Sequence, residues 1–192
     1  MRTAEGYTGI MTTVITQRAV TPADLAPLVT ACSPATLGSR FFLPGRPDPL
    51  DILQRYRRFL LDGGSVAVAG DTGDTGDTVV GLLNVVPAHP RVAELGIMVA
   101  DPWQRRGIAT ELARSMCDSG RWAGWTIRAT TQSDNAAARA LLRRRGFRPR
   151  GGAERGEVRW ELTMPSPEET GWNTARASAW CAAPRSSSAP RA

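Results

Sequence analysis

The sequence predicts one α/β domain built on a mixed sheet, and three observations carry that prediction. Runs rich in β-branched residues alternate with stretches of helical periodicity from Val14 to Met164. Two neighbouring runs, 65–69 and 79–86, frame a Gly- and Asp-rich tip and make a hairpin in the middle of the chain. A length of 192 residues suits one domain with a sizeable core and is short for two. With 42% hydrophobic and 22% charged residues, the composition is that of a folded protein.

In chain order, residues 1–11 read as a flexible leader, with Met11 an alternative start, and residues 12–164 as the domain. Thr12-Thr13-Val14-Ile15-Thr16 opens it as a β-branched strand. Thr21-Pro22-Ala23-Asp24 then starts a helix, with threonine at the N-cap, proline at the first helical position and a carboxylate in the first turn. A polar, Pro-rich stretch containing Ser39-Arg40-Phe41-Phe42-Leu43-Pro44 reads as a connection. Residues 48–61 form a second helix, because Ile52, Leu53, Tyr56, Phe59 and Leu60 recur at helical spacing.

The hairpin follows, its tip a tandem Asp-Thr-Gly repeat over 71–78. Asp-Thr-Gly also occurs in aspartic proteases, but two copies in direct tandem at a hairpin tip read as a solvated repeat. Residues 92–99 are a third central strand. Residues 105–119 then read as a helix with Ile108, Ala109, Leu112, Ala113, Met116 and Cys117 on one stripe. Residues 125–130 form a strand, 134–145 a helix stopped by Gly146, and 147–150 and 157–164 two closing strands. From Pro165 to Ala192 the chain is rich in Pro, Ser, Ala and Arg without periodicity and reads as a disordered tail.

Composition excludes several chemistries. The chain has no lysine, which removes the Walker-type phosphate loop and Schiff-base catalysis. His89 is the single histidine, so multi-histidine metal sites are excluded and no metal is expected. Cys32, Cys117 and Cys181 are odd in number and widely spaced, which fits a reducing cytoplasm and neither a disulfide scaffold nor a zinc cluster. No apolar run approaches a membrane span, so no membrane partner is expected. The net charge of +6 permits an anionic partner, but no nucleic-acid motif accompanies it, so nucleic acid is not the expected one. No pattern in the sequence specifies an oligomeric state.

The informative stretch is strand, tight loop, helix: Ala93 to Val99, then Ala100 to Gln104, then Arg105-Arg106-Gly107-Ile108-Ala109-Thr110. A helix beginning there leaves its first N–H groups unpaired and facing the loop, where they and the helix dipole attract an anion. Gly107 removes a Cβ where a phosphate must approach, and Arg105 and Arg106 add charge-assisted donors. The dinucleotide-binding pattern G-x-G-x-x-G is absent. Arg143-Arg144-Arg145 reads as the wet face of its helix, with a phosphate contact as the alternative.

Gln104-x-x-Gly107-x-Ala109 resembles the Q/R-x-x-G-x-G/A signature of the GNAT superfamily of acetyltransferases. Asn135-x-x-Ala138-x-x-Leu141-x-x-x-x-Gly146-Phe147 is similar to the superfamily's second motif, in the same order and at the same distance. The resemblance implies a mixed, mostly antiparallel sheet with splayed central strands flanked by helices. It implies acetyl-CoA as acyl donor, with Ile97, Met98 and Val99 bonding the pantetheine arm through the backbone. Gln104, Arg105, Arg106, Gly107, Ile108, Ala109 and Thr110 would cradle the pyrophosphate, and Asn135 would bond the pantetheine or cap its helix.

Transfer to an amine requires the amine neutral, while an alkylammonium has a pKa of about 10.4, so a proton acceptor is needed. Glu94 is the candidate: Leu95, Ile97 and Val99 share one face of their strand, which turns Glu94 to the other with Met98. Some protein-acetylating members of the superfamily carry a glutamate at the matching place. His89, between Pro87 and Pro90 with Ala88 beside it, is the second titratable candidate and reads as a surface residue. Many members have a tyrosine seven residues after the motif asparagine to protonate the leaving thiolate. Here that position is Leu142. Ser39-Arg40-Phe41-Phe42-x-Pro44 and Ala93-Glu94 are similar to bacterial members that acetylate protein lysines, so a protein lysine or N-terminus is the first expected acceptor. A small-molecule amine, or a non-catalytic acetyl-CoA-binding regulatory role, stays open as an alternative.

Overall fold

The computed structural model describes residues 14–70 and 78–166. The leader, Met11, the Asp-Thr-Gly tip over 71–77, Cys181 and the tail beyond Ser166 lie outside the described residues. Strands β1 (Val14–Ala19), β2 (Gly64–Gly70), β3 (Thr78–His89), β4 (Val92–Val99), β5 (Thr126–Gln132), β6 (Arg148–Pro149) and β7 (Glu157–Thr163) form one sheet. Their order is β1-β2-β3-β4-β5-β7-β6. Every neighbouring pair is antiparallel except β4 and β5, which run parallel at the centre.

Period-2 alternation sends neighbouring side chains to opposite faces, and each face carries its own core. Leu82 and Met98 pack with Leu25, Leu28, Leu37, Ile52 and Leu60 from helices α1 (Pro22–Thr30), α2 (Pro34–Phe41) and α3 (Pro49–Leu61). Leu83, Leu95, Ile127 and Trp160 pack with Ile108, Leu112, Met116 and Leu142 from α4 (Ile108–Asp118) and α5 (Ala136–Arg144) on the other face. The buried Asn84 on β3 donates through Nδ2 to the carbonyls of Phe59, Leu60 and Asp62, ending α3 against the sheet.

Three sequence expectations are corrected. The stretch read as a connection contains α2, whose cap is explicit: Ser33 Oγ accepts from Thr36 N at 3.2 Å and Pro34 follows at the first turn. Its stripe is thin, with Leu37 and Phe41 the buried large side chains, so periodicity alone missed it. The helix expected from Arg105 begins at Ile108, because Arg105 (φ 61°) and Gly107 (φ 83°) are left-handed. Strand β3 continues past Val86 to His89; β2 pairs with it only as far as Asn84, so Pro87 costs no bond to that neighbour.

A cleft where the central strands part

The parallel pairing of β4 and β5 runs from Val92↔Thr126 to Leu95↔Ala129 and stops. Beyond that point β4 stays paired to β3 through Val99, and β5 stays paired to β7 through Gln132. The facing edges of residues 96–99 and 130–132 are therefore left without a ladder partner, and a cleft of about 750 Å³ opens between them. Unpaired strand edges need partners for their N–H and C=O groups.

Helix α2 roofs this opening and is tied to both sides of it. Ser39 Oγ donates to Gln132 Oε1 at 2.9 Å, at the end of β5. Gln104 Nε2 donates to Thr36 Oγ1 at 3.0 Å and to the Val99 carbonyl at 3.2 Å, beyond the end of β4. Asp101 Oδ1 accepts from Gln104 Nε2 and from Ser33 N, both at 3.2 Å. Burial pushes the Asp101 carboxyl up, and hydrogen bonds from Ser33 and Thr36 outweigh it and hold the pKa below the ordinary value. Thus Gln104 lines the cleft but spends its amide on bracing.

The turn after β4 is a short 3-10 segment (Asp101–Trp103) followed by the left-handed Arg105 and Gly107. Gly107 is the N-cap of α4, and the first N–H groups of that helix have no intrahelical acceptor. A Cβ built on Gly107 would meet no atom within 4 Å, so the space over this turn is open. Arg105, Gly107, Ile108, Ala109 and Thr110 line the cleft together with Ile97, Met98, Val99 and Asn135. Arg106 is not among the lining residues; its guanidinium lies 4.8 Å from the Trp103 ring centroid. Asn135 caps α5, its Oδ1 accepting from Ala138 N at 3.0 Å. Backbone edge, open turn and helix N-terminus thus follow one another along one cleft, an arrangement that fits an extended ligand ending in phosphate.

Glu94 is half-buried on β4, one residue before the last pair with β5, and it borders both this cleft and a smaller depression of about 420 Å³. His89 is exposed and does not line the cleft. Leu142 is buried in the core and borders the cleft, leaving an apolar surface at that point. Arg143 lies over the Trp160 ring at 5.8 Å, away from the cleft. Burial pushes the Cys32 thiol up to about 12, with Asp101 adding to the effect, and also raises Cys117, so neither is poised as a thiolate. Among the described residues, no group of three or more His, Cys, Asp or Glu could hold a metal ion, and no helix is long and apolar enough to cross a membrane. The cleft residues that sequence reading left without a role are Thr36, Thr131 and Gln132, while Ser39 and Thr130 were read only as parts of a segment and a strand. Thr131 and Gln132 offered only polarity at a strand end, and Thr36 sits in the helix that the sequence did not show.

No curated protein matches the chain in sequence. Among solved structures, a domain from Methanocaldococcus jannaschii superposes with a TM-score of 0.64 at 16% identity, over 79% of this chain and 99% of that one. A ribosomal-protein-alanine N-acetyltransferase from Brucella melitensis gives 0.57 at 24% identity, over 77% and 99%. A GNAT superfamily phosphinothricin acetyltransferase from Sinorhizobium meliloti, in complex with acetyl-CoA, gives 0.59 at 18% identity, over 83% and 92%. At these identities the likeness carries the fold. Residues 15–148, well over half of the chain, match the acetyltransferase (GNAT) domain model, and the chain therefore belongs to the GNAT family of acetyltransferases.

Proposed function

We propose that this acetyl-CoA-dependent acetyltransferase moves the acetyl group directly to an amine, with Glu94 as general base and a protein lysine or N-terminus as acceptor. The observation that carries the reading is the position of Glu94 at the point where β4 and β5 separate, between the open strand edges and the depression beside β7. Bound acetyl-CoA supplies an acetyl group activated as a thioester. Ile97, Met98 and Val99 offer their unpaired backbone edge to the pantetheine arm, and residues Gln104 to Thr110 enclose the pyrophosphate, with Arg105 contributing charge. Arg106 acts there only at a distance, through the field of the loop, since its guanidinium is stacked on Trp103. Asn135 orders the turn before α5 by its cap and faces the same cleft.

Glu94 takes the proton of the acceptor ammonium, directly or through a water. The neutral nitrogen then forms its bond to the acetyl carbon as the carbon–sulfur bond breaks. N–H groups on the open edge of β4 polarise the carbonyl. The second proton, which the nitrogen sheds on becoming an amide, reaches the departing thiolate through water: Leu142 offers no donor, and a thiol pKa of about 8.5 makes a dedicated acid unnecessary.

The test follows release of free thiol from acetyl-CoA with peptide acceptors. The chain contains no lysine, so any acetyl-lysine formed belongs to the acceptor. Glu94→Gln is expected to keep the acetyl-CoA-induced rise in melting temperature while turnover falls by roughly 10²–10⁴. The loss shrinks at high pH, where more amine is already neutral. Normal turnover in Glu94→Gln, with a dead His89→Gln, would overturn the assignment of the base.

A further inference from the structure

One cation in the cleft is unaccounted for by the acetyl donor reading. Arg40, in the last turn of α2, lays its guanidinium against the backbone of Gly96 on β4, where any Cβ would overlap it. The rings of Phe41 and Phe59 flank it, with centroids 5.1 and 5.4 Å from its central carbon. Nη2 is buried without a hydrogen-bond partner, and Arg40 takes part in none of the ion pairs among the described residues. Burial alone brings its pKa down to about 10. A buried guanidinium without a counter-charge is costly, and arginine presents a planar fork suited to a carboxylate.

Its location says which ligand it faces. Gly96 lies two residues from Glu94 and therefore on the same face of β4, the face of α1 to α3. The open turn and the N-terminus of α4 lie beyond the other end of that strand segment, after Val99. Arg40 thus meets β4 two residues along the strand from the proposed base, without an ion pair to it. The depression that shares Glu94 differs in having its charges matched: Arg128, Arg150 and Arg159 line it with Glu94 and Glu161, and Arg159 also reaches Glu154 at 3.9 Å. Arg128 and Arg150 both bond Glu161, at 2.8 and 2.5 Å.

We propose that the acceptor carries a carboxylate close to its reactive amine and that this carboxylate pairs with Arg40. This rests on the reading of the cleft as an acetyl-transfer site. The amine is directed to Glu94 and the carboxylate to Arg40. The same chemistry is presented by an acidic residue next to a lysine in a peptide and by the α-carboxylate of a free amino acid.

The experiment compares acceptors that differ only in that charge. One pair is a single-lysine peptide with glutamate flanks against the same peptide with glutamine flanks. The other is free lysine against cadaverine. A carboxylate on Arg40 is a charge-assisted contact, so the acid member of at least one pair is expected to be favoured about tenfold or more in kcat/KM. The pair that shows the preference identifies the source. Arg40→Gln is expected to bring that ratio close to one while the acetyl-CoA-induced thermal shift remains. Binding without chemistry is read in parallel, as the rise in melting temperature that each ligand causes with free CoA present. A larger rise for the acid member, lost in Arg40→Gln, supports the subsite even where no turnover follows; absent turnover would then count against acetyl transfer alone. Ratios near one in both pairs, with equal thermal shifts, would overturn the proposal, and this wild-type comparison stands whether or not Arg40→Gln folds.

Discussion

At the scale of single residues, the site is built from positions with unusual backbone or unusual burial. Gly107 combines a φ of 83° with free space on the side its Cβ would occupy, so it marks a place where a ligand can approach the chain. Gly107→Glu puts a side chain and a negative charge there. The acetyl-CoA-induced rise in melting temperature is expected to disappear in this variant, as monitored by thermal melts with and without the donor. An undiminished rise would show that the pyrophosphate lies elsewhere. Asn135 was legible in the sequence as a helix cap, a local signal; Gly107 stood out for its missing Cβ, but its left-handed φ, which delays the helix to Ile108, was not read. Arg40 was legible as a residue but its burial was not. Burial depends on Gly96 and Phe59, which are distant in sequence and meet it only when α2 and α3 close over β4.

At the scale of elements, the sheet frame shows how α1 is locked to β1. Asp24 is buried in the first turn of α1 and accepts from Thr21 N at 2.7 Å and Thr21 Oγ1 at 2.8 Å. Arg18 on β1 meets both of its carboxylate oxygens, at 2.6 and 2.7 Å. The Arg18 hydrogen bonds hold the Asp24 carboxyl down to about 2, against burial, with Thr21 adding to the effect. A carboxyl with a depressed folded pKa contributes its stability above the unfolded value, near 3.8, and loses it as pH falls toward about 2. Asp24→Asn is therefore expected to cost on the order of 2 kcal/mol at neutral pH. In urea melts, the gap between wild type and variant should narrow as pH drops from 5 toward 3. A gap independent of pH would show that packing, and not the charge, anchors the helix. The Thr21-Pro22-x-Asp24 signal was readable in the sequence because a capped helix start is local. The α2 helix was not, because two buried side chains make a weak stripe and its work is done through bonds to Gln104 and Gln132, far along the chain.

At the scale of the whole molecule, the question is where the cooperative unit ends. Both cores are assembled from residues between Leu25 and Met164. The last strand closes against the loop before β5: Met164 N donates to the Trp125 carbonyl at 2.8 Å, and Gly124 N donates to the Pro165 carbonyl at 3.0 Å. Met164 is itself buried and packs into the core that also holds Trp122. We propose that the folded domain ends just after these bonds. A chain ending at Ser166 is expected to melt within a degree or two of the full chain and to keep its response to acetyl-CoA. A chain ending at Thr163 gives up the Met164 side chain and both closing bonds. Loss of a buried methionine alone is worth about 2–5 kcal/mol, so its melting temperature should fall by several degrees or more. A Thr163 chain that melts with the full chain would place the boundary before Met164, and a fall of several degrees already in the Ser166 chain would place it beyond Ser166, with residues of the Arg- and Pro-rich tail belonging to the folded unit.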